Sequence, residues 1–167
     1  AVGKYSTSVG SGTAGSCIAC PVGKYVDVEA SDQQEDCIDC VRGKYIDVTG
    51  SDDATDCIDC VVGKYVDVTG SVDAADCIDC IAGKYALATA SALETNCIDC
   101  ERGRFSTVSG RSSLDQCGLC DVGQYQDQAG RTECIDCAAG TYLDTQGNDA
   151  AADCIDCVAG KHLSTTG

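Results

Sequence analysis

Apolar positions in this chain come in short bursts rather than helical stripes. In Lys64-Tyr65-Val66-Asp67-Val68 a run rich in β-favouring residues follows the glycine and reads as a strand of roughly four to six residues. Val, Ile and Tyr favour that conformation. Thr49-Gly50-Ser51 and Thr69-Gly70-Ser71 close the burst with a turn in which Gly can take positive φ. A Ser-Asp-x-x-x-Asp segment then returns the chain to a Cys-x-x-Cys pair, and the pattern restarts. No apolar period of 3.6 residues is sustained, so the pattern predicts small irregular β-loops.

The restart is regular. The pairs fall at Cys17/Cys20, Cys37/Cys40, Cys57/Cys60, Cys77/Cys80, Cys97/Cys100, Cys117/Cys120, Cys134/Cys137 and Cys154/Cys157, 20 residues apart except for one step of 17 into Cys134. A fixed period of this length marks an array of repeated structural units. The whole of 1–167 reads as one array, with units 1–17, 20–37, 40–57, 60–77, 80–97, 100–117, 120–134 and 137–154 and a partial unit 157–167. A Gly-x-aromatic element recurs in it, with Tyr5, Tyr25, Tyr45, Tyr65, Tyr85, Phe105, Tyr125 and Tyr142 as its aromatics and His162 at the last position. The chain starts and stops inside units and contains no Met, which leads us to expect a window of a longer array. Units drift from about residue 81: Arg104-Phe105 replaces Lys-Tyr, and Cys117-Gly-Leu-Cys120 replaces Cys-Ile-Asp-Cys.

Composition says how such units can fold. Leu, Ile, Val and Phe total 31 of 167 residues and the net charge is -16, a combination that alone cannot offset chain entropy by burial. The 16 Cys change the picture, because this density is that of disulfide-stapled extracellular domains in an oxidising compartment. Closing a loop of roughly 15 to 20 residues stabilises by about 3 kcal/mol. Two pairings suit the repeat. In one, the second Cys of each pair joins the first of the next, giving Cys20–Cys37, Cys40–Cys57, Cys60–Cys77, Cys80–Cys97, Cys100–Cys117, Cys120–Cys134 and Cys137–Cys154, with Cys17 and Cys157 bonded outside the window. In the other, each Cys-x-x-Cys closes on itself. We prefer the first, since it staples the long segments.

Cys20-Pro-Val-Gly-Lys-Tyr25, Cys40-Val-Arg-Gly-Lys-Tyr45 and their copies resemble the ephrin-receptor-like cysteine-rich repeats, and are similar to the first module of tumour-necrosis-factor-receptor-type domains. The resemblance covers essentially the whole chain. It implies the first pairing, and it implies that the aromatics pack against disulfides. Long uninterrupted runs of such units resemble surface proteins of protists and algae, where a structural role is usual.

Other chemistry is thinner. The Cys-x2-Cys-x16-Cys-x2-Cys spacing also fits four-thiolate metal sites, although uniform spacing gives no rule for which pairs would join. Asp27, Asp47 and Asp67, and the intra-pair Asp39, Asp59, Asp79, Asp99, Asp136 and Asp156, suggest weak Ca2+ sites or, more simply, a solvated acidic face. No cofactor is called for. Acidity disfavours nucleic acid and anionic membranes, and no run of about 20 apolar residues spans a bilayer. A single His, His162, and no base-paired Ser or Cys leave nucleophilic catalysis without a candidate, so an enzyme is not expected. Thr49, Ser51, Thr69, Ser71, Thr89 and Ser91 lie in the turns, where O-glycans could attach; no N-x-[ST] sequon exists.

The resulting expectation is a small, disulfide-rich, mostly irregular β protein: a linear array of about eight two-cysteine units forming an extended rod. It is expected to be extracellular or cell-surface, non-enzymatic and structural, self-associating laterally or end to end into fibrils. The alternatives are a stalk or ligand-binding ectodomain of a receptor-like protein, and a four-cysteine metal-binding array.

Overall fold

The computed structural model describes residues 1–8 and 16–158; the His162 position lies outside them. Two compact units result, Ala1–Ile78 with Ala88–Asn96, and Asp79–Leu87 with Cys97–Gly167.

In the first unit each Gly-Lys-Tyr contributes a strand of two residues. Lys4–Tyr5, Lys24–Tyr25 and Lys44–Tyr45 pair antiparallel with Ile18–Ala19, Ile38–Asp39 and Ile58–Asp59, the residues between the paired cysteines. These strands are shorter than the roughly four to six residues that the β-favouring run predicts, and the backbone explains why. After the tyrosine the ladder passes to the next repeat: Gly23 N–H donates to the Ile46 carbonyl at 2.9 Å and Val26 N–H to the Ser51 carbonyl at 3.1 Å. Gly43 and Ile46 repeat this toward Val66 and Ser71. The Gly50 and Gly70 N–H groups donate back to the carbonyls of Cys20 and Cys40 in the preceding repeat. Each turn of chain is thereby hydrogen-bonded to its successors, which answers the backbone's need for partners without long strands.

Between turns the chain makes a 3-10 turn at Gln34–Asp36, Ala54–Asp56 and Ala74–Asp76. The Asp before each cysteine closes it. Asp56 Oδ2 accepts from the N–H groups of Asp52 and Asp53, and Asp76 Oδ2 from those of Val72 and Asp73. Asp53 adds a cap by accepting from Thr55 N–H at 2.8 Å. Among the described residues no α-helix forms.

The interior is made of disulfides and one aliphatic residue per turn. Val26, Ile46 and Val66 are at most 1% exposed, each beside the cystine of its own repeat. Burying one such side chain contributes about 1.5–3 kcal/mol, comparable to the staple it touches.

The second unit reuses the plan. Lys84–Tyr85 pairs with Ile98–Asp99, Arg104–Phe105 with Gly118–Leu119, Gln124–Tyr125 with Ile135–Asp136, and Thr141–Tyr142 with Ile155–Asp156. Its buried positions are Ala86, Ser106, Gln126 and Leu143. The polar ones are satisfied internally: Ser106 Oγ donates to the Val108 carbonyl at 3.0 Å, and Gln126 Nε2 donates to the Glu133 carbonyl at 2.7 Å. Gln126 lies in the shortened repeat, where the missing residues remove the 3-10 turn. Its amide instead ties the shortened loop together, donating to the Glu133 carbonyl and accepting from Gln128 N–H.

Candidate interaction surface

The structure joins Cys20–Cys37, Cys40–Cys57, Cys60–Cys77, Cys80–Cys97, Cys100–Cys117 and Cys137–Cys154, each closing 17 residues, and Cys120–Cys134, closing 14. Cys17 is an exposed thiol and Cys157 a half-buried one. With those cysteines in disulfides, the four-thiolate metal reading is corrected: among the described residues no group of three or more His, Cys, Asp or Glu is placed to share a metal ion. The same observation bears on the Asp residues proposed for Ca2+, which are distributed singly.

Hairpin register sorts the side chains onto two faces. Lys24 lies opposite Asp39, and Tyr25 opposite Ile38; the next hairpin repeats this with Lys44 and Asp59, and Tyr45 and Ile58. One face is therefore ionic. Lys24–Asp39, Lys44–Asp59 and Lys84–Asp99 meet at 2.6 Å with both partners partly exposed, worth about 0–1 kcal/mol each. The Lys44 ammonium holds the Asp59 carboxyl below the usual carboxylate value, with Thr89 Oγ1 adding a 3.2 Å bond. The Asp53 carboxyl is lowered by the Thr55 N–H and hydroxyl. Desolvation, with Glu94 and Asp67 nearby, pushes the Tyr65 hydroxyl up.

The other face is aromatic and aliphatic. Tyr5, Tyr25 and Tyr45 each pack on the cystine of the following repeat, Cys20–Cys37, Cys40–Cys57 and Cys60–Cys77. Tyr85 does so on Cys100–Cys117, beside Leu114. Tyr65, Phe105 and Tyr125 are half-buried. Tyr142 is 38% exposed; the cysteine that follows its repeat is Cys157, which is not in a disulfide. The isoleucines opposite the aromatics face out: Ile18, Ile38, Ile58 and Ile78 are each 45–49% exposed. Val28, Val48 and Val68 are 56–58% exposed.

The turn hydroxyls divide by position. Thr49, Thr69 and Thr89 are exposed. Ser51, Ser71 and Ser91 are only 5–6% exposed, which corrects their assignment as exposed attachment points for glycans. Each forms a parallel bridge to the tyrosine of an earlier repeat, Tyr25, Tyr45 and Tyr65, and that pairing draws the serine inward.

The first glycine of five repeats, Gly3, Gly23, Gly43, Gly83 and Gly103, carries a constraint that turn chemistry does not reveal. Gly23 has φ of +80°, and a Cβ there would stand 2.3 Å from the Gly70 carbonyl oxygen. Gly43, at +85°, would meet the Ala90 oxygen at 2.2 Å. The backbone two repeats onward occupies the place of the side chain.

A family model described as tyrosine-protein kinase ephrin type A/B receptor-like matches residues 29–77 and 107–154, more than half of the sequence. The chain belongs to the ephrin-receptor-like family. No curated protein sequence matches it. Ephrin-receptor-like repeats are a disulfide-rich, receptor-like and non-enzymatic kind of domain, typical of extracellular or surface proteins, and the cystine-centred turns above are their physical expression here. Among the described residues no helix is long and apolar enough to cross a membrane. Nothing in Tyr-Val-Asp-Val distinguishes its two Val positions, which lie two residues apart and would share a face of a regular strand. The first Val of the motif is core and the second is surface, and the glycine before them is a close-approach site.

Proposed function

We propose that this chain is a non-enzymatic structural repeat segment of an extracellular or cell-surface protein, a building block of a surface or extracellular fibril. One observation carries the reading: among the described residues successive turns are joined by backbone hydrogen bonds, and each from 20–37 to 137–154 is closed by its own cystine. Such an array spreads load over many equivalent local contacts, and staples at each turn limit how much chain one opened turn can release. Self-association end to end or laterally would extend it. O-glycans at Thr49, Thr69 and Thr89 would lie on exposed bends. Negative-stain imaging of native surface material labelled with an antibody to this chain tests the proposal. Label along filaments is expected; label confined to isolated membrane-proximal stalks would replace it with the second reading.

That second reading is a stalk or ligand-binding ectodomain. The shortened repeat favours it, since the regular surface is interrupted there by a cleft of about 210 Å³ lined by Gln126, Gln128, Arg131, Thr132, Glu133 and Ile135. Arg131 donates to Gln128 across that cleft. A partner recognising one place along a repetitive array would find it at this interruption.

A further inference from the structure

A groove of about 490 Å³ in the first unit follows the chain from Val66 to Ile78. Its walls include Val68, Val72 and Ile78, which are 57, 42 and 48% exposed. Asp67 and Asp76 stand among them, and the lining contains no Lys or Arg. Asp76 Oδ2 is engaged with two backbone N–H groups, so its charge is fixed in position while Asp67 remains exposed.

The fold does not require this lining. The repeat at 106–118 keeps the strand pair, the 3-10 turn Leu114–Gln116 and the cystine. At the positions matching Asp67, Val72, Asp76 and Ile78 it has Thr107, Ser112, Gln116 and Gly118. The repeat at 46–58 keeps part of the chemistry with Asp47, Val48, Asp56 and Ile58, with Asp52 in the place of Val72, and its Val48 and Ile58 are 58 and 45% exposed. Aliphatic groups held half-exposed beside carboxylates cost solvation without contributing to the interior, a pattern that marks an interaction surface.

We propose that the groove along residues 66–78, with the partly matching strip along 46–58, is a docking site for a cationic amphipathic protein segment. That segment alternates aliphatic side chains with Lys or Arg. Charge decides the occupant. The chain carries a net charge of -16, which opposes a second copy on this face and attracts a basic partner. An extended peptide sets alternate side chains toward the aliphatic walls and spaces its cations to reach Asp67 and Asp76. This assignment is independent of whether the chain builds fibrils.

Two synthetic peptides, (Lys-Leu)4 and (Lys-Gly)4, both acetylated and amidated, test it against the full oxidised chain by calorimetry and methyl NMR. The expected result is at least about tenfold tighter binding of (Lys-Leu)4, equivalent to about 1.4 kcal/mol, with shifts at the methyls of Val68, Val72 and Ile78. The exposed-site variant V48S/V68S should remove that advantage while the chain stays folded. Asp67→Asn, which touches no core group, should weaken binding and flatten its salt dependence. Equal affinity for the two peptides would reduce the effect to bulk charge and overturn the proposal. So would shifts elsewhere on the chain, or concentration-dependent sedimentation without peptide that V48S/V68S abolishes, which would make a second copy the occupant.

Discussion

Replacing Gly43 by Ala isolates the constraint that organises the stack. Gly43 has φ of +85°, and a Cβ would lie 2.2 Å from the oxygen and 2.5 Å from the carbon of the Ala90 carbonyl. Gly140 is the natural control: its φ is +90°, and among the described residues nothing lies within 4 Å of a Cβ placed there. For either site, forcing an L-residue into the left-handed region costs about 1–2 kcal/mol. About 0.4–1 kcal/mol of that is recovered because Ala restricts the unfolded chain. Gly140→Ala should therefore cost about 1 kcal/mol. In Gly43→Ala the Ala90 carbonyl must also retreat by about 1 Å to reach an ordinary contact distance. That movement pulls on Ala90 N–H to the Cys60 carbonyl, 2.9 Å, and on Val66 N–H to the Ser91 carbonyl, 3.1 Å. Losing two such bonds adds about 2 kcal/mol, for a total near 3 kcal/mol. Urea unfolding of the oxidised proteins, followed by tyrosine fluorescence, measures both differences. Equal losses in the two variants, within about 0.5 kcal/mol, would show that the glycine is there for its φ alone and that the close approach is not a constraint.

Tryptic digestion without reductant should leave the cysteine-bearing peptides between Tyr5 and Lys161 joined through successive cystines, because cleavage after Lys24, Arg42, Lys44, Lys64 and Lys84 falls between linked cysteines. Separate peptides each holding a closed Cys-x-x-Cys would refute the pairing. The Asp59 carboxyl should titrate below the ordinary carboxylate value by NMR, and Lys44→Met should return it there. Because the folded value is the lower one, its contribution to stability is complete above the unfolded carboxylate range and is lost as pH falls through the folded value; an unshifted Asp59 would remove this contribution. Gln126→Ala should cost about 1–2 kcal/mol in a thermal or urea melt, from the loss of its packing and of its hydrogen bonds with the Glu133 carbonyl and Gln128 N–H. A loss under about 1 kcal/mol would mean the shortened loop holds itself. Ala90 sits at φ +52°, so Ala90→Gly should stabilise by about 0.5–1 kcal/mol; destabilisation would contradict the strain.

The repeat, the paucity of aliphatics and the cysteine density were enough to read an array of stapled β-loops, because each is a local or compositional property. What the sequence hid was contact across repeats. Tyr25 looks like part of its own loop, yet it packs on the next cystine, Cys40–Cys57. Ser51 looks like an exposed turn residue, yet its bridge to Tyr25 buries it. Gly43 reads as a turn glycine, while its stricter requirement comes from Ala90 in a later repeat. Periodicity identifies equivalent positions but does not say which repeats touch. Surface chemistry was equally illegible: Val66 and Val68 are the same residue type two positions apart and would share one face of a regular strand, but the strand ends at Tyr65, so one is core and the other groove wall.

The drifting repeats show which features the fold depends on. Where Phe105 stands for Tyr, its cross-strand neighbour is Gly118 rather than Ile, and a Cβ at that glycine would sit 3.3 Å from the phenyl ring. Where Arg104 stands for Lys, its neighbour is Leu119 rather than Asp, and the guanidinium turns to the Cys117 carbonyl at 2.9 Å instead. The ion pair is therefore dispensable, as its small worth implies, and the aromatic–aliphatic pair can be exchanged for one of different shape. The buried position accepts Val, Ile, Ala, Ser and Gln provided polar atoms find partners. Backbone contacts are not exchanged. Cys100 N–H still donates to the Gly83 carbonyl, Gly130 N–H to the Cys100 carbonyl, and Gly103 N–H to the Gln126 carbonyl. A fold held by main-chain ladder and cystine leaves most side chains outside its requirements. Aliphatic and acidic residues that recur on the surface at 46–58 and 66–78 are therefore better explained by what they meet than by what they hold together.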